Sequence, residues 1–397
     1  MLKAYKYRIY PTREQQVLMN KTFGCTRYVY NTCLYLRKWL WERRQTISAF
    51  DLIKQLADAK KEISWLREPD SQALNATILN MDKAYQHFFN HGYGFPKYKK
   101  RGGHQSFQCP GNTREVNWDQ STLTIPKIAD IPIVLSRPFE GKIKTVTISM
   151  TPTGKYFASI LVDNERKLPG KPRVDENLTL GIDLGLKDFA ITSSGLKIPA
   201  PRLLRQKIDR LNVLQRRASH HHKGSGKRKK ANLRVAIQHE LIVNQRNHYL
   251  DFLHKLSTHL VCENQATTLV VENLAVKNMV KNHHLALSIS DAGWGEFVRQ
   301  LEYKCDWYGK NLIRIDRFSP SSKTCSGCGH VLDELDLSVR VWSCPGCSEI
   351  HDRDINAAKN IRKMGLQTGC GTSKEPGEQR RLRPAKKRES IPVPTSI

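Results

Sequence analysis

Two Cys-x-x-Cys knuckles, Cys325/Cys328 and Cys344/Cys347, lie fifteen residues apart near the end of a 397-residue chain. Four thiolates at that spacing close a tetrahedral shell around one zinc ion, and a filled shell makes the metal structural. A redox role for either knuckle is the alternative. Gly327, Gly329 and Gly346 fall where the knuckles need tight turns. The ribbon is followed at once by an acidic stretch, HDRDINAAKNI, which carries Asp354 seven residues after the last cysteine. Two more acidic residues, Asp183 in TLGIDLGLKDFAIT and Glu272 in TLVVENL, each end an apolar strand-like run. Burying an unpaired charge in such a run is costly, so a role for these side chains is worth seeking.

Clustered carboxylates hold pairs of divalent ions about 3.5–4 Å apart, an arrangement that hydrolyses phosphodiesters. All-oxygen ligands favour magnesium or manganese. The expectation is therefore that Asp183, Glu272 and Asp354 are catalytic and bind two magnesium (or manganese) ions, while the four cysteines hold one structural zinc. Each carboxylate also has an ordinary reading. Asp183 would be a turn residue before Gly185, Glu272 a strand-end charge, and Asp354 or Asp352 a cap on the helix that follows. The three are far apart in sequence, and spacing alone does not bring them together.

The formal net charge is +28, from 65 Lys+Arg against 37 Asp+Glu. Such an excess opposes compaction and points to a polyanion, with phosphates the simplest source. No apolar run reaches the roughly 18 residues of a membrane span. The start, MLKAYKYRIYPT, lacks the apolar core of a signal peptide, so a cytoplasmic location is expected. Cys25, Cys33, Cys109, Cys262, Cys305 and Cys370 have no ligand spacing and read as inert thiols.

Residues 1–10 alternate as a strand, and Thr12-x-x-Gln15 predicts a capping box that opens a helix. The pattern to about residue 90 is helical. Leu74, Ile78, Met81, Tyr85 and Phe88 share one face of a later helix, with Gln72, Asn75 and Lys83 opposite. A basic stretch with aromatic rings follows, in which Lys97, Tyr98, Lys99, Lys100 and Arg101 suit a nucleic-acid strand. Short Val/Ile/Thr-rich runs over 105–165 predict a small β-barrel, completed by the first strand and interrupted by the helices. Residues 166–176 read as a linker. Beyond it, strands alternate with helices, including a polar helical pair over 202–262 broken by the basic loop SHHHKGSGKRKK, which indicates an α/β unit.

Nearly all of the chain to about residue 366 resembles the TnpB (OrfB) family of bacterial insertion sequences, related to type V CRISPR effectors. The resemblance rests on GIDLGLKDFA, VVENLAVKNM, LALSISDAGWGEFVRQLEYK, SPSSKTCSGCG, CPGC and HDRDINAAKNI, with KAYKYRIYPT, GCTRYVYN and GFPKYKK at the amino-terminal end. It selects Asp354 over Asp352 as catalytic, and it places the readers of a short motif beside the target at Ser71, Gln72 and Asn75. The fold it implies is a multidomain α/β protein. A β-barrel (wedge-like) domain spans 1–11 and 104–170, with a helical recognition domain at 12–103. A RuvC-like nuclease of RNase H fold covers 176–320 and 350–367, the zinc ribbon 321–349, and a disordered basic tail 368–397. The activity it implies is RNA-guided cleavage of double-stranded DNA by a monomer, in the cytoplasm of a bacterium or archaeon and at the nucleoid when acting. Its partners would be a guide RNA from the transposon end and the target DNA. Pairing with the guide would read sequence while the protein reads the adjacent motif. In the basic loop three histidines, 220–222, stand where the family is usually basic. The competing expectations are a guide-free transposase or recombinase and a nuclease-inactive nucleic-acid-binding regulator.

Overall fold

The computed structural model describes every residue except 111–113, 202–204, 275, 280–288, 290–291, 317–319, 337 and 371–397. The predicted tail therefore lies outside the described residues from 371 onward, and the helix before it runs through Cys370 rather than stopping at 367. The chain divides into two compact units, Met1–Leu168 with Leu203–Leu250, and Pro169–Arg202 with Asp251–Ile397. Among the described residues no helix is long and apolar enough to cross a membrane.

The first unit is built on a seven-stranded antiparallel sheet. Its strands are β1 (Leu2–Ile9), β2 (Gln105–Pro110), β3 (Glu115–Asn117), β4 (Thr122–Ile125), β5 (Ile128–Val134), β6 (Lys142–Met150) and β7 (Tyr156–Asp163), in the order β2-β6-β7-β1-β5-β4-β3. The first strand is thus interior, paired with β7 from Leu2↔Asp163 to Ile9↔Tyr156. Among the described residues no ladder joins the outer strands β2 and β3, so the pairing is that of an open sheet. Tyr7, Ile9, Phe107, Leu123, Ile131, Val146, Ile148 and Ile160 form one continuous core on it.

Three helices are inserted between β1 and β2: α1 (Arg13–Glu42), α2 (Ala49–Glu62) and α3 (Ser71–His91). The capping box at Thr12 and Gln15 forms in both directions. Asp70 caps α3 through the Ala73 N–H, and Gly92 ends it in the left-handed conformation that glycine adopts without strain. Leu74, Ile78, Met81 and Tyr85 are buried against α1 and α2, as their spacing predicts.

Residues 203–250 group with this unit, not with the nuclease span to which the sequence assigned them. Here α4 (Arg205–Ser219) turns back into α5 (Gly226–Thr258), with Gln238 donating to the Lys207 carbonyl across the pair. An ion pair from Lys155 to Glu240 at 2.8 Å ties α5 to the loop before β7. Helix period gives no information about such a tie, which explains the different boundary.

The second unit has a five-stranded mixed sheet of β8 (Thr179–Leu184), β9 (Asp188–Thr192), β10 (Lys197–Pro199), β11 (Thr268–Glu272) and β12 (Asn311–Ile315), in the order β10-β9-β8-β11-β12. The first three are antiparallel, while β8, β11 and β12 run parallel. Two of its described helices are α6 (Trp294–Tyr308), which precedes β12, and α7 (Arg353–Cys370). The small hairpin of β13 (Val341–Ser343) and β14 (Ile350–Asp352) belongs to the ribbon.

Candidate active site and metal centre

The site begins with glycine. In β8, Gly181 faces α7 so closely that an added Cβ would overlap the Ala358 carbonyl oxygen and the Arg362 backbone. About one turn further along α7, Gly365 is packed against the Val270 side chain of β11, which an added Cβ would overlap. The helix therefore lies directly on the two parallel strands. Asp183 is two residues along β8 from Gly181, on the same face and about 6.7 Å further on. Asp354 is four residues before Ala358, about 6 Å back along the helix axis. The two displacements match, so the close contact at Gly181 brings Asp354 to Asp183.

Glu272 arrives by register. The parallel ladder of β8 and β11 pairs Ile182 with Val271, which makes Asp183 and Glu272 the next neighbours, one strand spacing of about 4.8 Å apart. All three carboxylates thus gather at the carboxyl ends of parallel strands, where open α/β sheets bind ligands.

Their electrostatics reflect the crowding. Burial, and then the negative charges of Glu272 and Asp354, push the Asp183 carboxyl up from 3.8 to about 7. A half-buried carboxylate beside two others leaves the site short of positive charge. Glu272 accepts a hydrogen bond from Ser321 Oγ at 2.6 Å. Asp354 accepts from Arg340 Nη1 through both oxygens at 3.2 Å. Asp352 has the ordinary role that the sequence left open for either aspartate. Its Oδ1 accepts the N–H groups of Asp354 and Ile355, capping α7, and its other oxygen pairs with Lys197 at 2.6 Å. Among the described residues, the groups compact enough to share a single ion are the four cysteines and Cys325/Glu349/His351, so the three carboxylates are spread more widely than one ion requires.

The cysteine site fits zinc. Its four sulfurs lie within 4.8 Å of one another, with Cys325–Cys347 and Cys328–Cys344 both at 3.6 Å. A tetrahedron with Zn–S bonds of about 2.3 Å has edges of about 3.8 Å. The knuckles are related in detail. Gly329 N–H bonds to Cys325 O, Ser348 N–H bonds to Cys344 O, and both residues are left-handed, with φ of 83° and 61°. Gly327 and Gly346 both lie in turns, as expected. They make room, Gly327 for the Glu349 carboxylate and Gly346 for His330. The described scattered cysteines, Cys25, Cys33, Cys109, Cys262 and Cys305, are free thiols.

The nucleic-acid candidates separate into two places. Ser71, Gln72 and Asn75 lie on the first turns of α3, where Ser71 Oγ accepts from Lys60 Nζ at 2.9 Å. Lys97, Tyr98, Lys99, Lys100 and Arg101 form an exposed loop beyond the opposite end of that helix. The loop is anchored by Asn31, which bonds both the N–H and the carbonyl of Lys99. The Lys99 ammonium sits 4.5 Å from the centre of the Tyr30 ring, and burial lowers its pKa. Its ammonium is committed to that ring, although the residue as a whole is exposed, as are Lys97, Lys100 and Arg101. The histidines at 220–222 belong to no compact metal-ligating group among the described residues.

Arg340, Ser321 and Lys197 touch the site and were missed in the sequence. Ser321 lies within the SPSSKTCSGCG block, yet nothing in a block of letters gives its hydrogen bond to a glutamate 49 residues earlier.

Three family models match the chain: a "Probable transposase" model over residues 159–283, a "Cas12f1-like, TNB domain" model over 294–361 and a "Helix-turn-helix domain" model over 1–46. The last span is here one strand and one unbroken thirty-residue helix. A Streptomyces pristinaespiralis protein named "Putative RNA-guided DNA endonuclease" is 41% identical over 94% of this chain and 92% of its own length. An Escherichia coli K12 protein named "Putative RNA-guided DNA endonuclease InsQ" is 29% identical over 96% and 97%. The fold matches that of Cas12f1 in its complex with guide RNA and target DNA, at a TM-score of 0.56 and 13% identity, over 91% of this chain and 98% of that one. Mimivirus proteins named TnpB-like align over 92% of the chain at 25% identity. Matched at 41% identity across almost its whole length, the chain belongs to the OrfB/TnpB family.

Proposed function

We propose that this protein is an RNA-guided DNA endonuclease of a transposable element, which cuts double-stranded DNA beside a short motif by metal-dependent phosphodiester hydrolysis. The observation that carries the reading is Asp183, a half-buried carboxylate whose pKa is raised by desolvation and then by Glu272 and Asp354 at the ends of parallel strands. The mixed sheet supports a RuvC-like, RNase H-type nuclease, and the seven-stranded sheet with its helical insertion supports the wedge and recognition domains. Relatives named as RNA-guided endonucleases supply the guide and the DNA substrate class.

Two magnesium or manganese ions between Asp183, Glu272 and Asp354 would supply an activated water and neutralise charge on the leaving oxygen. The chain's own groups prepare that chemistry. Ser321 fixes the rotamer of Glu272, Asp352 holds the first turn of α7, and Arg340 brings a cation to the edge where phosphate charge builds up. The four cysteines would hold one zinc. The excess of positive charge serves the guide and target backbones, whose binding should weaken with the logarithm of salt.

Purification with the flanking transposon DNA present should yield a discrete copurifying RNA, identified by sequencing. The complex should cut a matched duplex, and Asp183→Ala, Glu272→Ala or Asp354→Ala should abolish cutting while leaving binding nearly intact. Cutting that survives in all three variants defeats the assignment. The "Probable transposase" description keeps a guide-free recombinase as the second reading. Strand joining that resists RNase would establish it instead.

A further inference from the structure

The first zinc knuckle is hydrogen-bonded to the helix that carries Asp354. Asn356, Asn360 and Lys363 lie on one stripe of α7, at i, i+4 and i+7. Asn356 accepts the Ser326 N–H at 2.8 Å and donates to the Thr324 carbonyl at 2.7 Å. Asn360 donates to the carbonyls of Ser321 at 2.8 Å and Thr324 at 2.6 Å. Lys363 donates to the Ser326 carbonyl. The backbone on both sides of Cys325 is therefore tied to α7. Both amides are deeply buried, Asn356 at 1% and Asn360 at 3% exposure, which makes an unmet donor there costly. His351, also buried and three residues before Asp354, adds a contact from its Nε2 to Cys325 Sγ at 3.0 Å. The same turn reaches the second carboxylate, because Ser321 bonds Glu272.

We propose that Asn356 and Asn360 are positioning residues through which zinc in the ribbon sets the geometry of the nuclease carboxylates. Zinc organises the knuckle, the knuckle backbone seats the two amides, and the amides fix the first turn of α7 and with it Asp354. Ser321 carries the same order to Glu272. An unmetallated knuckle has no ligand field to hold Thr324–Ser326 in shape, since bound metal is folding energy for such a unit. The inference rests on the nuclease reading for its consequence, though not for the coupling itself.

The test uses the full chain with zinc present and after zinc is removed by a thiol-reactive mercurial, with Mn²⁺ as the probe. Two readouts are taken: amide hydrogen exchange at residues 353–358, and Mn²⁺ affinity by electron paramagnetic resonance. Removing zinc from the unmodified protein should speed exchange at 353–358 and weaken Mn²⁺ binding, each by about tenfold or more, since several buried hydrogen bonds are at stake. The double variant Asn356→Ala/Asn360→Ala should retain one zinc per chain and still show both changes. Removing its zinc should then add little, because the link is already cut. The proposal is overturned if zinc removal leaves exchange at 353–358 unchanged while the ribbon loosens. It is equally overturned if the variant's effects and those of zinc removal simply add. Should the double variant fail to fold, the zinc comparison on the unmodified chain decides the matter. Absence of Mn²⁺ binding in every state would count against the nuclease reading, and the exchange measurement would still judge the coupling.

Discussion

Replacing the central carboxylate by its amide should stabilise the metal-free protein while destroying its metal site. Asp183 titrates near 7 in the folded chain against an ordinary 3.8, because it is half-buried and faces Glu272 and Asp354. Between those two values the folded state holds a proton that the unfolded chain has released. Stability therefore falls as pH rises from about 4 to about 7, and the whole cost is present above 7. At ~1.4 kcal/mol per pH unit the cost is about 4 kcal/mol. Asp183→Asn keeps the shape and removes the charge, so at pH 8 it should recover most of that amount. For a unit of this size the gain in Tm is on the order of 10 °C. Thermal unfolding in magnesium-free buffer, with zinc left in place, should show a small gain at pH 4 and the full gain at pH 8. Millimolar Mn²⁺ should raise the Tm of the unmodified protein by mass action and leave the variant unmoved. An equal gain at both pH values, or a loss at pH 8, would refute the electrostatic account of the site.

Three further outcomes follow from particular contacts. Gly181→Ala should cost ~3 kcal/mol or more in chemical denaturation and abolish Mn²⁺ binding, since its methyl group overlaps the Ala358 carbonyl and forces α7 off the strand. Ser348→Gly should slow zinc loss to a chelator and add ~1 kcal/mol of stability, because Ser348 holds a φ of 61° where the matching knuckle has Gly329. Arg340→Ala should slow cleavage by roughly 10- to 100-fold with zinc content unchanged, as read by single-turnover kinetics and metal analysis, because it removes the cation paired with Asp354.

Several features were legible from short windows of sequence. The capping box at Thr12, the apolar face of α3 and the ligand spacing of the knuckles are all local patterns, and each appears in the structure as read. Other features depend on contacts that are distant in the chain. Gly327 and Gly346 lie in turns as read, but the second reason for their small size, the space taken by Glu349 and His330, comes from contacts outside each knuckle. Residues 203–250 group with the first unit, where Glu240 is ion-paired to Lys155.

Letters alone determined the composition of the two centres: four thiolates for one metal, and three acidic residues set against apolar strands. Ligand type and strand period are properties of a few neighbouring residues, so no fold is needed to read them. Whether the acidic residues meet was decided by the tertiary structure. It depends on the parallel register that sets Glu272 beside Asp183, and on the missing side chain at Gly181 that lets α7 bring Asp354 down onto them. Register and close approach are relations between segments far apart in the chain, and their energies exist only once both segments are packed together.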